Sequence, residues 1–452
     1  MVGVTLSRWT MSYFASALVA LIVAECLMAA GFGYPAVPIE APETLVLVHI
    51  VTIGWLSLLM CGALFQFVPV LVAHPLHSNS LPLPTLGCLL AGLAALLLGF
   101  LQLSGHAMRG IPFFPIAGAL LGAGFGLVLW NLGRTLWAAP RPLPLPARFV
   151  VVGLISVGAT VAFGVVFALV LGGVTANPRF LDVTAVGVPL HVIAGLGGWL
   201  TFTAMGVSYR LLAMFMLAPE LEGAGTRGAF YFGAAALAVV VFGGVMAICF
   251  RGSVTMVLSV AGLLGFSALV LYGRDILHLY RARKRRMIEL NGRMAALALA
   301  NLAAVAILIV TLVGLGTLGR HVAAVVFLIS FGWLSGLGLA KLYKIVAFLT
   351  WLECYGPVLG KMATPRVQDL VVERRGIKWF VLYFLAVWSA AAGLLLDEPL
   401  AFRMSAAVMV VATGGIIAQL IRARRLDDVK AAVRLPVGVR RPHLLLSWVQ
   451  HS

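Results

Sequence analysis

A chain of 452 residues that is 62% hydrophobic and only 10% charged cannot cover a water-soluble surface, because soluble domains carry about 25% charged residues. Its net charge of +17 would suit a nucleic-acid partner, but the basic residues are confined to alternate loops between long apolar stretches. That pattern excludes nucleic acid and follows the positive-inside bias of membrane proteins.

In chain order, apolar stretches are expected near 10–32, 44–72, 84–104, 112–137, 149–173, 185–216, 229–250, 254–273, 295–317, 321–350, 378–396 and 400–421. Each is long enough to cross a hydrocarbon core of about 30 Å. In lipid each must satisfy its own backbone hydrogen bonds, so each reads as a helix. The expected fold is therefore all-α, a polytopic membrane protein with about twelve transmembrane helices. The first stretch reads as a retained helix, not a cleaved signal peptide. Arg8, the Arg134–Arg148 loop, the Arg274–Arg293 stretch, Lys361–Lys378 and the tail with Arg422, Arg424, Arg425, Arg434, Arg440 and Arg441 fall on one side. The opposite loops are poor in Lys and Arg and hold Glu40, Glu43, Asp397 and Glu398. Both termini are thus expected to face the cytoplasm, in a bacterial-type inner membrane, with attraction to anionic headgroups. Five cysteines form no CxxC pair, and four lie in apolar stretches, which reads as packing and not as a disulfide framework.

Aligning the tryptophans exposes an internal repeat. Gly54-Trp55-Leu56-Ser57, Gly198-Trp199-Leu200-Thr201 and Gly332-Trp333-Leu334-Ser335 lie in the second, sixth and tenth stretches. Seven residues past each Trp stands Gly62, Gly206 or Ala340, and ten past stands Phe65, Tyr209 or Tyr343. Eleven past stands Gln66, Arg210 or Lys344, which are long enough to snorkel toward the interface. The chain reads as one membrane domain, 1–452, built of three pseudo-symmetric four-helix units at about 10–138, 149–275 and 294–421. Small residues at the +7 position suit close helix approach in lipid.

Nine histidines separate by depth. His74, His77, His278, His443 and His451 fall at helix ends or in the tail and read as solvated. His106 lies in a short outer loop and His321 at the outer start of the tenth stretch. His49 and His191 lie about two turns, roughly 10 Å, inside their stretches. An ionisable group at that depth is a site candidate. Glu25 falls at a similar depth and is placed to pair with His49. On an α-helical step of 100° per residue, His49 and His191 differ by two positions in the repeat frame and point roughly 160° apart. Neutral imidazole ligates haem iron and copper.

The run Val48-His49-Ile50-Val51-Thr52-Ile53-Gly54-Trp55-Leu56-Ser57, followed by Gly62-Ala63-Leu64-Phe65-Gln66-Phe67-Val68-Pro69, resembles the second helix of the catalytic subunit of haem–copper oxidases, nearest the nitric oxide reductase branch. His191 with Gly198-Trp199, Gly206 and Tyr209-Arg210 is similar to a related helix of that superfamily. Motif similarity covers about 60 to 80 residues and marks a distant relative. The resemblance implies twelve core helices in three groups of four, a low-spin haem on His49 and a copper ligand at His191. It then fails. The seventh stretch, 229–250, has no His, and the positions of the family's tenth-helix His-x-His hold Val325 and Phe327. A dioxygen-reducing centre cannot be assembled from this set, so terminal oxidase activity is rejected. The expected function is a haem b-binding membrane protein in electron transfer or in binding a diatomic gas such as nitric oxide. Its second axial ligand would be His321, or His106 folding in, and it would work with a redox partner or another membrane subunit. Two alternatives stay open. One is a carrier or copper-handling protein in which His49, His191 and Glu25 bind copper or protons. The other is a cofactor-free structural or assembly subunit. No nucleophile–base pair, phosphate loop or dinucleotide fingerprint is present.

Overall fold

A computed structural model describes residues 7–106 and 110–447. His451 lies outside the described residues. Among the described residues, twelve helices are long and apolar enough to cross a membrane. They are α1 (Thr10–Ala30), α2 (Pro42–Leu71), α3 (Pro82–Leu103), α4 (Phe113–Ala138), α5 (Leu145–Leu171) and α6 (Val188–Met216). Next come α7 (Ala224–Cys249), α8 (Val254–Arg281), α9 (Leu290–Gly314), α10 (Leu318–Val358), α11 (Glu373–Leu395) and α12 (Pro399–Arg425). No strand occurs among the described residues. The chain is an all-α, multi-pass membrane protein.

The helix ends follow local chemistry. Pro42, Pro82 and Pro399 open α2, α3 and α12, where the missing N–H costs nothing. The Ser253 side chain accepts from Met256 N–H and caps α8. Gly31 closes α1 at φ +84°, a left-handed conformation that a Cβ would strain.

Packing divides the helices into two compact units, 1–66 with 288–452, and 67–287. The division falls inside α2, just after Gln66. The first unit therefore holds α1, most of α2 and α9–α12, and the second holds α3–α8.

Within each unit the repeat positions do the packing that their sizes allow. A Cβ on Gly62 would lie 2.6 Å from Tyr13 Cβ, so the glycine lets α1 lie directly on α2. A Cβ on Gly206 would lie 2.3 Å from Phe149 Cβ, and there α5 lies on α6. The aromatic three residues further on seals each contact. Tyr13 meets Phe65 edge-on at 5.7 Å, and Phe149 meets Tyr209 at 5.6 Å. Trp55, Trp199 and Trp333 are among the largest fully buried side chains.

The helices carrying the repeat are not α-helical throughout. Ile50–Ser57 in α2, Ile193–Phe202 in α6 and Leu328–Ser335 in α10 are π-helical. They begin five, six and five residues before the Trp and end two, three and two after it. The sequence repeat is thus also a repeat of backbone geometry. The hydroxyl two positions after the Trp supports the wide turn. Ser57 Oγ donates to Thr52 O and Ser335 Oγ to Ser330 O, each at 2.7 Å and each reaching back five residues. In the first unit Ser335 Oγ also accepts from Trp55 Nε1 at 2.7 Å, joining α2 to α10. Next to it Gly338 lies so near Leu59 that a Cβ would sit 2.7 Å from Leu59 Cδ2.

The C-terminal tail folds back over the ends of α10–α12. Leu426 and Val429 pack with Tyr355 and Leu370, and Tyr355 Oη donates to Arg434 O at 2.7 Å. Asp428 accepts from Arg375 Nη1 and Arg422 Nη2, both at 2.6 Å. Burial opposes its charge, but the two guanidinium hydrogen bonds outweigh burial and hold its carboxyl below the usual range. A depressed folded-state pKa stabilises the docked tail above the unfolded value of about 3.9, and that stability disappears as pH falls through the folded value. Asp428→Asn is therefore expected to speed protease cleavage within 426–447 by about tenfold at neutral pH, equivalent to about 1.4 kcal/mol. Wild-type cleavage is expected to rise only under strongly acid conditions. Equal cleavage of both proteins at pH 7 would remove the role assigned to Asp428.

Candidate histidine site

His49 is the last residue of the α-helical start of α2, and the π-helical segment begins at the next residue. Its Nδ1–H donates to Leu45 O at 2.7 Å. In the neutral ring that bond places the proton on Nδ1 and the lone pair on Nε2, the tautomer of a metal-ligating imidazole whose ring is aligned by a main-chain carbonyl. The residue is half-buried.

His191 repeats the arrangement in the second unit. It lies two residues before a π-helical segment, and its Nδ1 donates to Thr160 O at 3.0 Å on α5. Its ring lies 5.4 Å from that of Phe167, and Gly164 leaves room beside it: a Cβ there would sit 3.5 Å from His191 Cε1. Both histidines thus have the same proton on the same nitrogen, each directed by a carbonyl, and each within two residues of a π turn. Such turns recur at functional sites because they displace side chains from the regular helical positions.

His321 lies near the start of α10, twelve residues before Trp333, whereas His49 lies six before Trp55. By helical rise His321 is about 9 Å further from its tryptophan. It is half-buried, and its Nδ1 has no hydrogen-bond partner among the described residues. His106 lies exposed in the α3–α4 loop, its Nδ1 3.0 Å from Ser104 Oγ. Glu25 is fully buried on α1, but its hydrogen-bond partner is Thr413 Oγ1 of α12 at 2.8 Å, and its Oε2 has none among the described residues. The hydrogen bonds of Glu25 and His49 run to Thr413 and Leu45, not to each other.

The three long polar residues of the repeat each find a local partner. Gln66 Oε1 accepts from Ser7 N–H at 2.9 Å, Arg210 pairs with Glu220, and Lys344 pairs with Glu289 at 2.6 Å. Lys344 and Glu289 also line a cleft of about 190 Å³ with Asn291, Tyr343, Gln368, Val371 and Glu373. Glu373 accepts from Leu290 N–H at 2.7 Å and from Arg293 at 3.0 Å, so this cleft is lined largely by groups that neutralise one another.

No group of three or more His, Cys, Asp or Glu side chains gathers as a metal cage among the described residues. The donors instead stand as separate imidazoles. In the first unit the α2–α10 seam is closed at Trp55–Ser335 and Leu59–Gly338. His49, with its aligned ring, and His321, with an orphaned ring nitrogen, are the two imidazoles of that unit on α2 and α10. No protein-family model matches the chain, and no curated protein matches it.

Proposed function

We propose that this chain is a haem b-binding protein of a bacterial-type inner membrane, with both termini on the cytoplasmic side. In this reading His49 and His321 are the residues that would hold the haem iron. The observation that carries it is the His49 ring itself: intramembrane, aligned through Nδ1–H to Leu45 O, and adjacent to a π turn. The separateness of the imidazoles favours haem over a bare copper ion, which needs several protein donors at one point. When bound, haem supplies one-electron redox chemistry or, with one axial position open, coordination of a diatomic gas such as nitric oxide.

The chain's own residues would do three things. The Leu45 carbonyl holds the His49 ring in one orientation. Apolar side chains exclude water from the metal and so tune its potential. The closed seam at Trp55–Ser335 keeps the ligand helix in register with α10. A distant relationship to the haem–copper oxidase subunit, with its copper and active-site haem ligands lost, accounts for the repeat and for His49 together. A soluble redox partner or a second membrane subunit would exchange electrons with the haem. The test is an absorption spectrum with iron and copper analysis of protein purified after haem-supplemented expression. A Soret band with stoichiometric iron supports the reading, and a colourless, iron-free protein overturns it.

A further inference from the structure

The densest positive charge in the second unit is a segment the haem reading does not use. Arg281, Arg283, Lys284, Arg285 and Arg286 occupy the end of α8 and the turn that follows. Main-chain bonds pin this turn to the end of α6: Lys284 N–H donates to Leu217 O and Arg285 N–H to Met216 O. The basic side chains are thus displayed from a fixed backbone.

Local acids do not neutralise Arg281, Arg283, Lys284 or Arg286. Asp275, the acid of α8, is buried and accepts from Tyr209 Oη at 3.0 Å. Glu220 is taken by Arg210. Arg281, Arg283, Lys284 and Arg286 make no ion pair among the described residues. Arg283 reaches only the carbonyl of Tyr280, and its Nε–H has no acceptor among the described residues.

The surroundings identify the kind of partner. Met287 follows the run and is 82% exposed, and Leu217, at the point where the turn is pinned, is 57% exposed. The helix that delivers the charges is itself open to hydrocarbon, with only 11% of its apolar window buried. A soluble acidic protein would have no use for an apolar shelf continuous with a lipid-facing helix. A phospholipid needs both features: the shelf for its glycerol and acyl start, the cations for its phosphate.

We propose that the Arg281–Arg286 turn, with Leu217 and Met287, is a binding site for an anionic phospholipid headgroup in the leaflet that meets the end of α8. Five cations at and just beyond one helix end match the charge and placement of segments that select anionic over zwitterionic lipid.

The test titrates full-length protein in mild detergent with phosphatidylglycerol, phosphatidylcholine or soluble glycerol phosphate, and counts bound molecules by native mass spectrometry. The wild type is expected to retain phosphatidylglycerol over phosphatidylcholine. That preference is expected to fall at least about tenfold when Arg281, Arg283, Lys284, Arg285 and Arg286 are all replaced by Gln. It is also expected to fall when ionic strength rises from about 0.05 to 0.5 M, which shortens electrostatic reach. Glycerol phosphate is expected to compete weakly, since it lacks the acyl chains that meet Leu217 and Met287. Equal retention of both lipids by the wild type, or a preference that neither substitution nor salt reduces, overturns the proposal. Displacement of phosphatidylglycerol by equimolar glycerol phosphate also overturns it, because it would mark a site for soluble phosphates. If the substituted protein does not fold, the wild-type salt titration decides alone.

Discussion

His49→Leu is expected to abolish the Soret band of the purified protein and lower bound iron at least about tenfold, because it removes a ligand outright. Leucine fills much of the same space and is at home in lipid, so the helix should persist with little change in thermal unfolding. The Nδ1–H to Leu45 O bond disappears, but it lies on one helix, four residues apart, and its loss exposes only a carbonyl that α2 already supports. The comparison variants give the result its meaning. His321→Leu is expected to keep haem but change its spectrum, since the imidazole aligned by the Leu45 carbonyl remains. His106→Leu is expected to change nothing, because His106 is exposed in its loop. If His191→Leu removes the haem and His49→Leu does not, the ligand lies in the second unit and the assignment to α2 is wrong. If every histidine variant keeps the wild-type spectrum, the histidine reading fails altogether.

The twelve membrane helices were legible because apolar length alone identifies them, and the twelve expected stretches each overlap an observed span. The functions of Gly62 and Gly206 were legible for a related reason: a missing side chain at a fixed offset says where a neighbour comes close. The π-helical segments were not. A wide turn adds a residue without altering hydrophobicity, so nothing in Ile50–Ser57 or Leu328–Ser335 sets it apart in composition. That omission had a cost in geometry. The 160° expected between His49 and His191 assumed an α-helical step, yet nearly every residue between each histidine and its tryptophan is π-helical. The 100° step does not apply there.

Partners reached from distant helices were also invisible. Glu25 bonds Thr413, 388 positions away. Depth along a helix suggested His49 as its companion, but depth says nothing about which helix faces which. Arg210 and Lys344 were read as snorkelling. The acids that hold them, Glu220 and Glu289, stood in the adjoining sequence and were the signal available. Arg424 was counted only as one charge of a basic tail, and nothing around it in sequence distinguishes it from Arg422 or Arg425.

Arg424 is the residue whose loss should damage the fold most. Its side chain and that of Glu353 are each 3% exposed, and Nη1 meets Glu353 Oε2 at 2.6 Å. The same guanidinium donates to Thr350 Oγ1 at 3.2 Å, His443 O at 2.8 Å and Leu446 O at 2.9 Å. One planar group therefore neutralises a buried carboxylate and pins two carbonyls of the tail, which a lysine's point charge cannot reproduce. Arg424→Met removes the guanidinium that meets the buried Glu353 and frees the two tail carbonyls, and is expected to cost about 3–5 kcal/mol. Glu353→Gln leaves a guanidinium that still has three oxygen acceptors, so its cost should be smaller, about 1–3 kcal/mol. Arg424→Lys should fall between them and should free the tail to proteases, since one ammonium cannot span Glu353, His443 O and Leu446 O. Unfolding in detergent micelles orders the three variants, and tail proteolysis separates loss of charge from loss of the fork. If Arg424→Met unfolds with the wild type, the buried pair contributes nothing. If Glu353→Gln proves the more damaging of the two, the carboxylate and not the guanidinium is the centre of the network.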